Sequence, residues 1–161
     1  MRLSSGILLQ TKERIMDIPT EIMSKLERFC AFQERCEADV RKKMTAFPCS
    51  VAQREEMIRL LKENDFLNEE RFVEIFIRSK IKDQWGKLKI RQALFAKKIS
   101  PALIEEKMQN IDEDAYQQML VDVIEKWKRL HEKDANDKSK LFRSMLTKGF
   151  EVNDIMNCIK S

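Results

Sequence analysis

Apolar residues recur every three to four positions along most of the chain after Pro19, which is the period of an amphipathic α-helix. Start and stop signals divide this pattern. Pro48 ends one helix, Ser50 with Gln53 forms a capping box, Ser100-Pro101 starts a later helix, and Gly149 is suited to terminate another. The predicted helices cover 20–33, 37–46, 51–64, 69–83, 87–97, 101–108, 113–130, 138–148 and 152–159, with Asn68 and Asp112 as further N-caps and Trp85-Gly86 as a break.

The spacing of the helices indicates an internal repeat. A shift of 51 residues places Ile90 on Leu141 and Leu94 on Met145, so apolar positions fall on apolar positions. A weaker copy of this apolar pattern lies earlier in the chain, where Val40 is followed four residues later by Met44. The same shift of 51 superposes Lys89 on Lys140, Lys97 on Lys148, Ile99 on Phe150, Ile104 on Ile155 and Met108 on Ile159.

The pattern therefore predicts an all-α fold of three tandem three-helix repeats. The predicted boundaries are 19–66, 67–110 and 111–161, and residues 1–18 form an N-terminal tail or an extra short helix. The low count of glycine and proline, three each, agrees with helices because all-β folds need many turn residues.

The composition narrows the class of protein. The chain has 43% apolar and 36% charged residues, no apolar run of membrane-spanning length and no N-terminal signal segment, so we expect a cytoplasmic protein. The four cysteines lie in or near apolar helical patterns without a Cys-x-x-Cys pair, and we expect them to be reduced and mostly buried. His131 is the only histidine. We therefore expect no metal site and no cofactor.

No catalytic constellation emerges from the motifs. The sequence contains neither a glycine-rich phosphate loop nor a Gly-x-Ser-x-Gly motif. We expect two acid pairs, at 69–70 and 105–106, in first helical turns, where carboxylates are favoured by the helix dipole. We therefore expect a protein that is not an enzyme.

Charge is segregated along the chain. Residues 78–98 carry eight basic side chains against one acidic side chain, and residues 111–125 carry five acidic side chains and no basic one. Such segments suit binding to a polyanion or to a partner with complementary charge, although lysine-rich faces commonly serve solubility alone. Trp85 either stacks on a base or partner, or fills the joint between two helices. The candidate partner- or DNA-binding residues, mostly on the middle helices of the repeats, are Lys87, Lys89, Arg91, Lys97, Lys98, Lys140, Arg143, Lys148 and Trp85.

Several segments, taken in order, resemble the RecX family of RecA regulators. They are Phe66–Phe72, Arg78–Lys80, Trp85–Leu94 and Lys97–Ile99, with Cys30–Cys36 and Leu146–Phe150 on either side. Lys98 stands where the family usually has glycine, and Val73 where it usually has alanine.

The resemblance implies an elongated, curved array of three three-helix repeats that acts as a monomer. It further implies binding in the groove of the RecA–single-stranded-DNA filament, with restraint of strand exchange, ATP hydrolysis and coprotease activity in DNA repair and the SOS response. Weak direct binding to DNA is a further expectation. The alternative is a generic helical nucleic-acid-binding or scaffold protein that does not act through RecA.

Overall fold

A computed structural model of the chain describes residues 17–160. Within this range the regular secondary structure is helical, as predicted, with a 3₁₀ turn at Glu132–Asp134. The predicted N-terminal tail or short helix falls, apart from residues 17 and 18, outside the described residues. The helices are α1 (Thr20–Phe32), α2 (Glu37–Met44), α3 (Val51–Glu63), α4 (Glu69–Lys82), α5 (Lys87–Ala96), α6 (Pro101–Met108), α7 (Glu113–Leu130), α8 (Lys138–Thr147) and α9 (Val152–Lys160).

The predicted N-caps are confirmed. Ser50 Oγ accepts the N–H of Gln53 at 3.1 Å, and Gln53 Oε1 accepts the N–H of Ser50 at 2.9 Å, which completes the capping box. The side chains of Asn68, Ser100 and Asp112 likewise accept an N–H from the residue three positions ahead.

Helix α2 ends at Met44, two residues earlier than predicted. The N–H groups of Thr45, Ala46 and Phe47 each bond to the carbonyl three residues back, so the chain leaves the helix through tight turns. Pro48 explains this end, because its ring disfavours helical backbone at the residue before it.

The described chain divides into two compact units, and the division falls within α4 between Phe72 and Val73. In the first unit, α1 packs on α2 and α2 on α3. Their core includes the fully buried side chains Leu26, Val40, Met44, Met57 and Leu61.

The second unit shows the repeat directly. Helix α5 packs on α6, while α7, α8 and α9 pack pairwise on one another. Helices α8 and α9 begin 51 residues after α5 and α6, which confirms the register between the last two repeats. Ile90 and Leu141 are buried at equivalent positions, and so are Leu94 and Met145. The outer boundaries of the three repeats stay a prediction.

Four helices end in the same way, in a Schellman motif. In each, the residue two positions past the helix adopts left-handed backbone, and the N–H after it bonds to a carbonyl of the last turn; the four residues are Asp65, Gln84, Lys98 and Gly149, with φ of 59°, 62°, 61° and 87°. Helix α4 therefore ends before Trp85, which donates its N–H to the carbonyl of Lys80 at 2.9 Å. The break begins at Gln84, one residue before the predicted Trp85-Gly86.

Candidate partner-binding surface

The start of α5 lies directly against the end of α8. Gly86 donates its N–H to the carbonyl of Lys148, and Leu88 donates to the carbonyl of Gly149, both at 2.9 Å. A Cβ atom on Gly86 would lie 2.1 Å from the carbonyl carbon of Gly149, and one on Gly149 would lie 2.3 Å from Cβ of Lys89. Both glycines are therefore required by the close approach of two backbones, a role that sequence reasoning missed.

Tyr116 completes this contact from α7. Its hydroxyl oxygen accepts the N–H of Lys87 at 3.0 Å, and burial raises the pKa of Tyr116, so the phenol stays protonated. The N–H groups of three successive residues, 86 to 88, thus find acceptors in the second unit. Carbonyl groups at the end of α8 offset the positive end of α5, which makes cations tolerable in its first turn.

Lys87 is engaged within the protein. Its Nζ lies 2.6 Å from a carboxylate oxygen of Glu113 and 4.4 Å from the ring centroid of Tyr116, and its side chain is only 12% exposed. The hydrogen bond from Lys87 lowers the pKa of Glu113, so this carboxylate is ionised at neutral pH.

Two other predicted cations are also paired. Arg91 lies 2.7 Å from carboxylate oxygens of both Glu105 and Glu151, and the hydrogen bond to Glu105 contributes most to raising its pKa. Lys140 pairs with Asp134 at 2.7 Å. The acidic partners come from other segments, so part of the charge segregation serves contacts inside the second unit.

Trp85 lies between two lysines. The Nζ atoms of Lys89 and Lys80 are 4.1 and 4.8 Å from its ring centroid, and the indole is half-buried. These are cation–π distances. The ring thus has a structural role at the joint between α4 and α5, and its predicted role in stacking on a base or partner stays a prediction.

Of the remaining predicted residues, Lys97 and Lys98 lie just past the end of α5, Arg143 lies in the middle of α8, and Lys148 lies just past its end. Within residues 17–160, the side chains of Lys98, Arg143 and Lys148 are exposed and form no ion pair with an acidic residue. Lys97 is half-buried and is the repeat equivalent of Lys148. Cations suit the negative end of a helix, so Lys98 and Lys148 are compatible with a stable fold while remaining open to a partner.

The described residues also contain an apolar groove and four cysteines. An apolar groove of about 580 Å³ between α4 and α7 is lined in part by Ile77, Ile81 and Ile111, with the Lys107–Glu74 ion pair beside it. Within residues 17–160, no three His, Cys, Asp or Glu side chains are grouped to hold a metal ion, and no helix has the length and hydrophobicity to cross a membrane. None of the four cysteines, all within residues 17–160, forms a disulfide bond, and two of them, Cys30 and Cys36, are buried.

Comparison with known proteins gives a consistent picture. Residues 68–108 match the family model for the second three-helix domain of RecX. The regulatory protein RecX of Clostridium perfringens is 33% identical over 100 residues, which cover 60% of this chain and 47% of the relative.

Two solved structures share the fold. A crystal structure of regulatory protein RecX superposes with a TM-score of 0.78 at 19% identity, covering 88% of this chain and 71% of the other. RecX from Lactobacillus salivarius superposes with a TM-score of 0.75 at 22% identity, covering 88% of this chain and 97% of the other. The matched stretch spans about half the length of the Clostridium relative. The sequence matches together with the shared fold support a protein of the RecX family.

Proposed function

We propose that this chain binds the RecA–single-stranded-DNA filament and restrains the recombinase, ATPase and coprotease activities of RecA. Family membership supports the regulatory role. The observation that carries the proposed binding surface is the set of open cations Lys98, just past the end of α5, and Arg143 and Lys148, within and just past the equivalent helix α8. A filament of protein and DNA presents phosphates and carboxylates, and both attract such a surface.

The pairing inside the second unit decides which residues test the proposal. Reversing the charge of Lys87 or Arg91 would place like charges beside Glu113, Glu105 and Glu151, so a loss of activity could reflect a damaged fold. The exposed cations have no such internal role. We therefore propose that Lys98, Arg143 and Lys148 contact the filament. We treat Lys87 and Arg91 as residues that position α5.

The test is the ATPase activity of a cognate RecA on single-stranded DNA, titrated with this protein. The wild-type protein should suppress hydrolysis below equimolar ratio. A triple variant with Lys98→Glu, Arg143→Glu and Lys148→Glu should need at least tenfold more protein for the same inhibition, with little change in its thermal melt. This corresponds to a loss of about 1.4 kcal/mol.

The matched control changes the net charge equally elsewhere in the second unit, through Lys126→Glu, Arg129→Glu and Lys133→Glu, which are exposed positions on α7 and the following turn. Equal loss of inhibition in both triple variants would reject a specific surface. Failure of the wild-type protein to inhibit at equimolar ratio would reject the filament proposal. Strong, salt-sensitive binding to naked DNA would then favour the generic nucleic-acid-binding alternative.

A further inference from the structure

The first unit carries an exposed aromatic ring next to open cations. Phe32, the last residue of α1, is 86% exposed, the highest value among the exposed large apolar side chains of residues 17–160. A phenylalanine is usually at least partly buried, because its ring contributes strongly to a core. Its position therefore calls for a functional reason.

The neighbours of Phe32 form a defined cluster. Phe29 and Arg28 precede it by three and four residues on α1, so all three side chains lie on one face of the helix. The guanidinium of Arg35 lies 4.0 Å from the ring centroid of Phe29 and is held there by a 3.5 Å hydrogen bond from Nε to the Phe29 carbonyl. Lys43 of α2 approaches the same ring, with Nζ at 5.5 Å.

Arg28 and Lys43 are exposed, whereas Arg35 is half-buried against the ring of Phe29. Among the described residues, Arg28, Arg35 and Lys43 form no ion pair with an acidic side chain. The first unit does pair cations where acids are near, since Arg41 and Lys62 both lie 2.6 Å from Glu37. The positive charge around Phe29 is therefore not neutralised by the described acidic side chains.

We propose that Phe32, Arg28, Arg35 and Lys43 form a binding site for single-stranded nucleic acid. An unpaired base stacks on the exposed ring of Phe32, and the cations contact the adjoining phosphates. Stacking on an aromatic side chain and neutralisation of the backbone are the two interactions by which sequence-tolerant single-strand sites are built.

The chemistry of the surface favours this ligand over a lipid headgroup. A membrane-surface helix presents a broad apolar face, whereas Phe32 is a single exposed ring on a helix face that also carries Arg28. The site does not depend on the filament interaction proposed above, and it can be tested on naked nucleic acid without a recombinase.

The decisive experiment compares a short oligothymidine with an abasic strand of the same length, by fluorescence anisotropy with the full chain. The wild-type protein should bind the oligothymidine about 5- to 150-fold more tightly, the range that stacking of one base provides. Phe32→Ala should bind the two strands equally. Wild-type binding that does not distinguish them, or a preference that survives Phe32→Ala, would overturn the proposal.

Salt dependence tests the cations separately. Replacing Lys43 by glutamine should reduce the slope of log affinity against log salt concentration by about 0.7, because one phosphate contact on a single strand is lost. Phe32→Ala should leave that slope unchanged. A slope that is insensitive to Lys43→Gln and Arg28→Gln would contradict the phosphate contacts.

Two controls distinguish this site from general effects. Val51→Ala removes another exposed apolar side chain of the first unit, 74% exposed, and should leave binding unchanged. Vesicles containing phosphatidylserine provide the lipid comparison. Binding to vesicles that requires Phe32, without binding to oligothymidine, would assign the surface to membranes and reject the nucleic-acid site.

Discussion

Lys98 and Gly149 occupy the same position in two repeats, and we expect replacements there to change stability in opposite directions. Both residues end a helix in left-handed backbone. Lys98 already carries a Cβ and is exposed, so Lys98→Gly removes only the strain of a side chain in that conformation. At Gly149 a Cβ would collide with Lys89 of α5, so Gly149→Ala should separate the two helices.

The expected gain from Lys98→Gly is the difference of two terms. Left-handed backbone costs an ordinary L-residue about 1–2 kcal/mol. Relief of this strain is partly offset, because glycine gives the unfolded chain more freedom and so lowers the free energy of unfolding by about 0.4–1 kcal/mol. The free energy of unfolding should therefore rise by about 0.5–1 kcal/mol, and the melting temperature by roughly 1–4 °C for a chain of this size.

The expected loss from Gly149→Ala is larger. The backbone strain alone costs about 1–2 kcal/mol. Separating α5 from α8 also breaks the hydrogen bonds from the N–H groups of Gly86 and Leu88, at about 1 kcal/mol each. Alanine offsets about 0.4–1 kcal/mol of the sum, because it restricts the unfolded chain. The net loss of about 2–3.6 kcal/mol is a large part of the total stability of a typical domain, about 5–15 kcal/mol.

Urea unfolding followed by tryptophan fluorescence measures both effects, because Trp85 and Trp127 both lie in the second unit. The control is Ala96→Gly at the last residue of α5, which should lower the free energy of unfolding by about 0.5–1 kcal/mol. The reasoning is refuted if Lys98→Gly destabilises as this control does. A loss at Gly149→Ala no larger than the strain alone would show that the α5–α8 contact adds no stability.

Three further changes test individual contacts of the second unit. Tyr116→Phe leaves the N–H of Lys87 without its acceptor and should lower the free energy of unfolding by about 1–2 kcal/mol in urea, and an unchanged midpoint would contradict this role. Lys87 lowers the pKa of Glu113 below 4.5. The ion pair between Lys87 and Glu113 therefore stabilises the fold above pH 4.5, and this stabilisation is lost as the pH falls through the pKa of Glu113 in the folded protein. The melting-temperature advantage of wild type over Glu113→Gln should therefore be present at neutral pH and shrink below about pH 4.5, and an advantage independent of pH would contradict the ion pair. Arg91→Lys keeps the charge but loses the forked contact with Glu105, and should cost about 0.5–1 kcal/mol in a thermal melt, whereas an unchanged melt would show that the fork contributes nothing.

The helices and their caps could be predicted because the interactions that define them are local. Ser50, Asn68, Ser100 and Asp112 each bond to a backbone group three residues away, and such bonds can be inferred directly from residue order. The repeat could be predicted for a related reason. Burial at equivalent positions requires apolar residues at equivalent positions, and the chain preserves them over 51 residues.

The left-handed helix ends could be predicted only in part. Gly149 signals its conformation through residue type, whereas Asp65, Gln84 and Lys98 adopt the same backbone with side chains that usually avoid it. In these three cases the Schellman hydrogen bonds and the packing of the following apolar residue outweigh a strain of about 1–2 kcal/mol. Residue type alone does not reveal that balance.

The pairing of charges could not be predicted, because it depends on how the helices dock. Arg91 and Glu151 are 60 residues apart in the sequence. They form an ion pair because Gly86 and Gly149 let α5 approach α8 closely. A count of cations along the sequence therefore overestimates the binding surface, because it includes Lys87 and Arg91, whose charges are offset internally. Two sets of cations, one on each unit, form no ion pair with an acidic side chain among the described residues and carry the two proposals: Lys98, Arg143 and Lys148, and Arg28, Arg35 and Lys43. If attraction of a polyanion were spread over all the basic residues, reversing either set would cost the same as reversing any three exposed lysines. If the contacts are localised, only reversal of these two sets should weaken binding. Reversal of Lys98, Arg143 and Lys148 should then weaken inhibition of the RecA ATPase, and reversal of Arg28, Arg35 and Lys43 should weaken binding to oligothymidine.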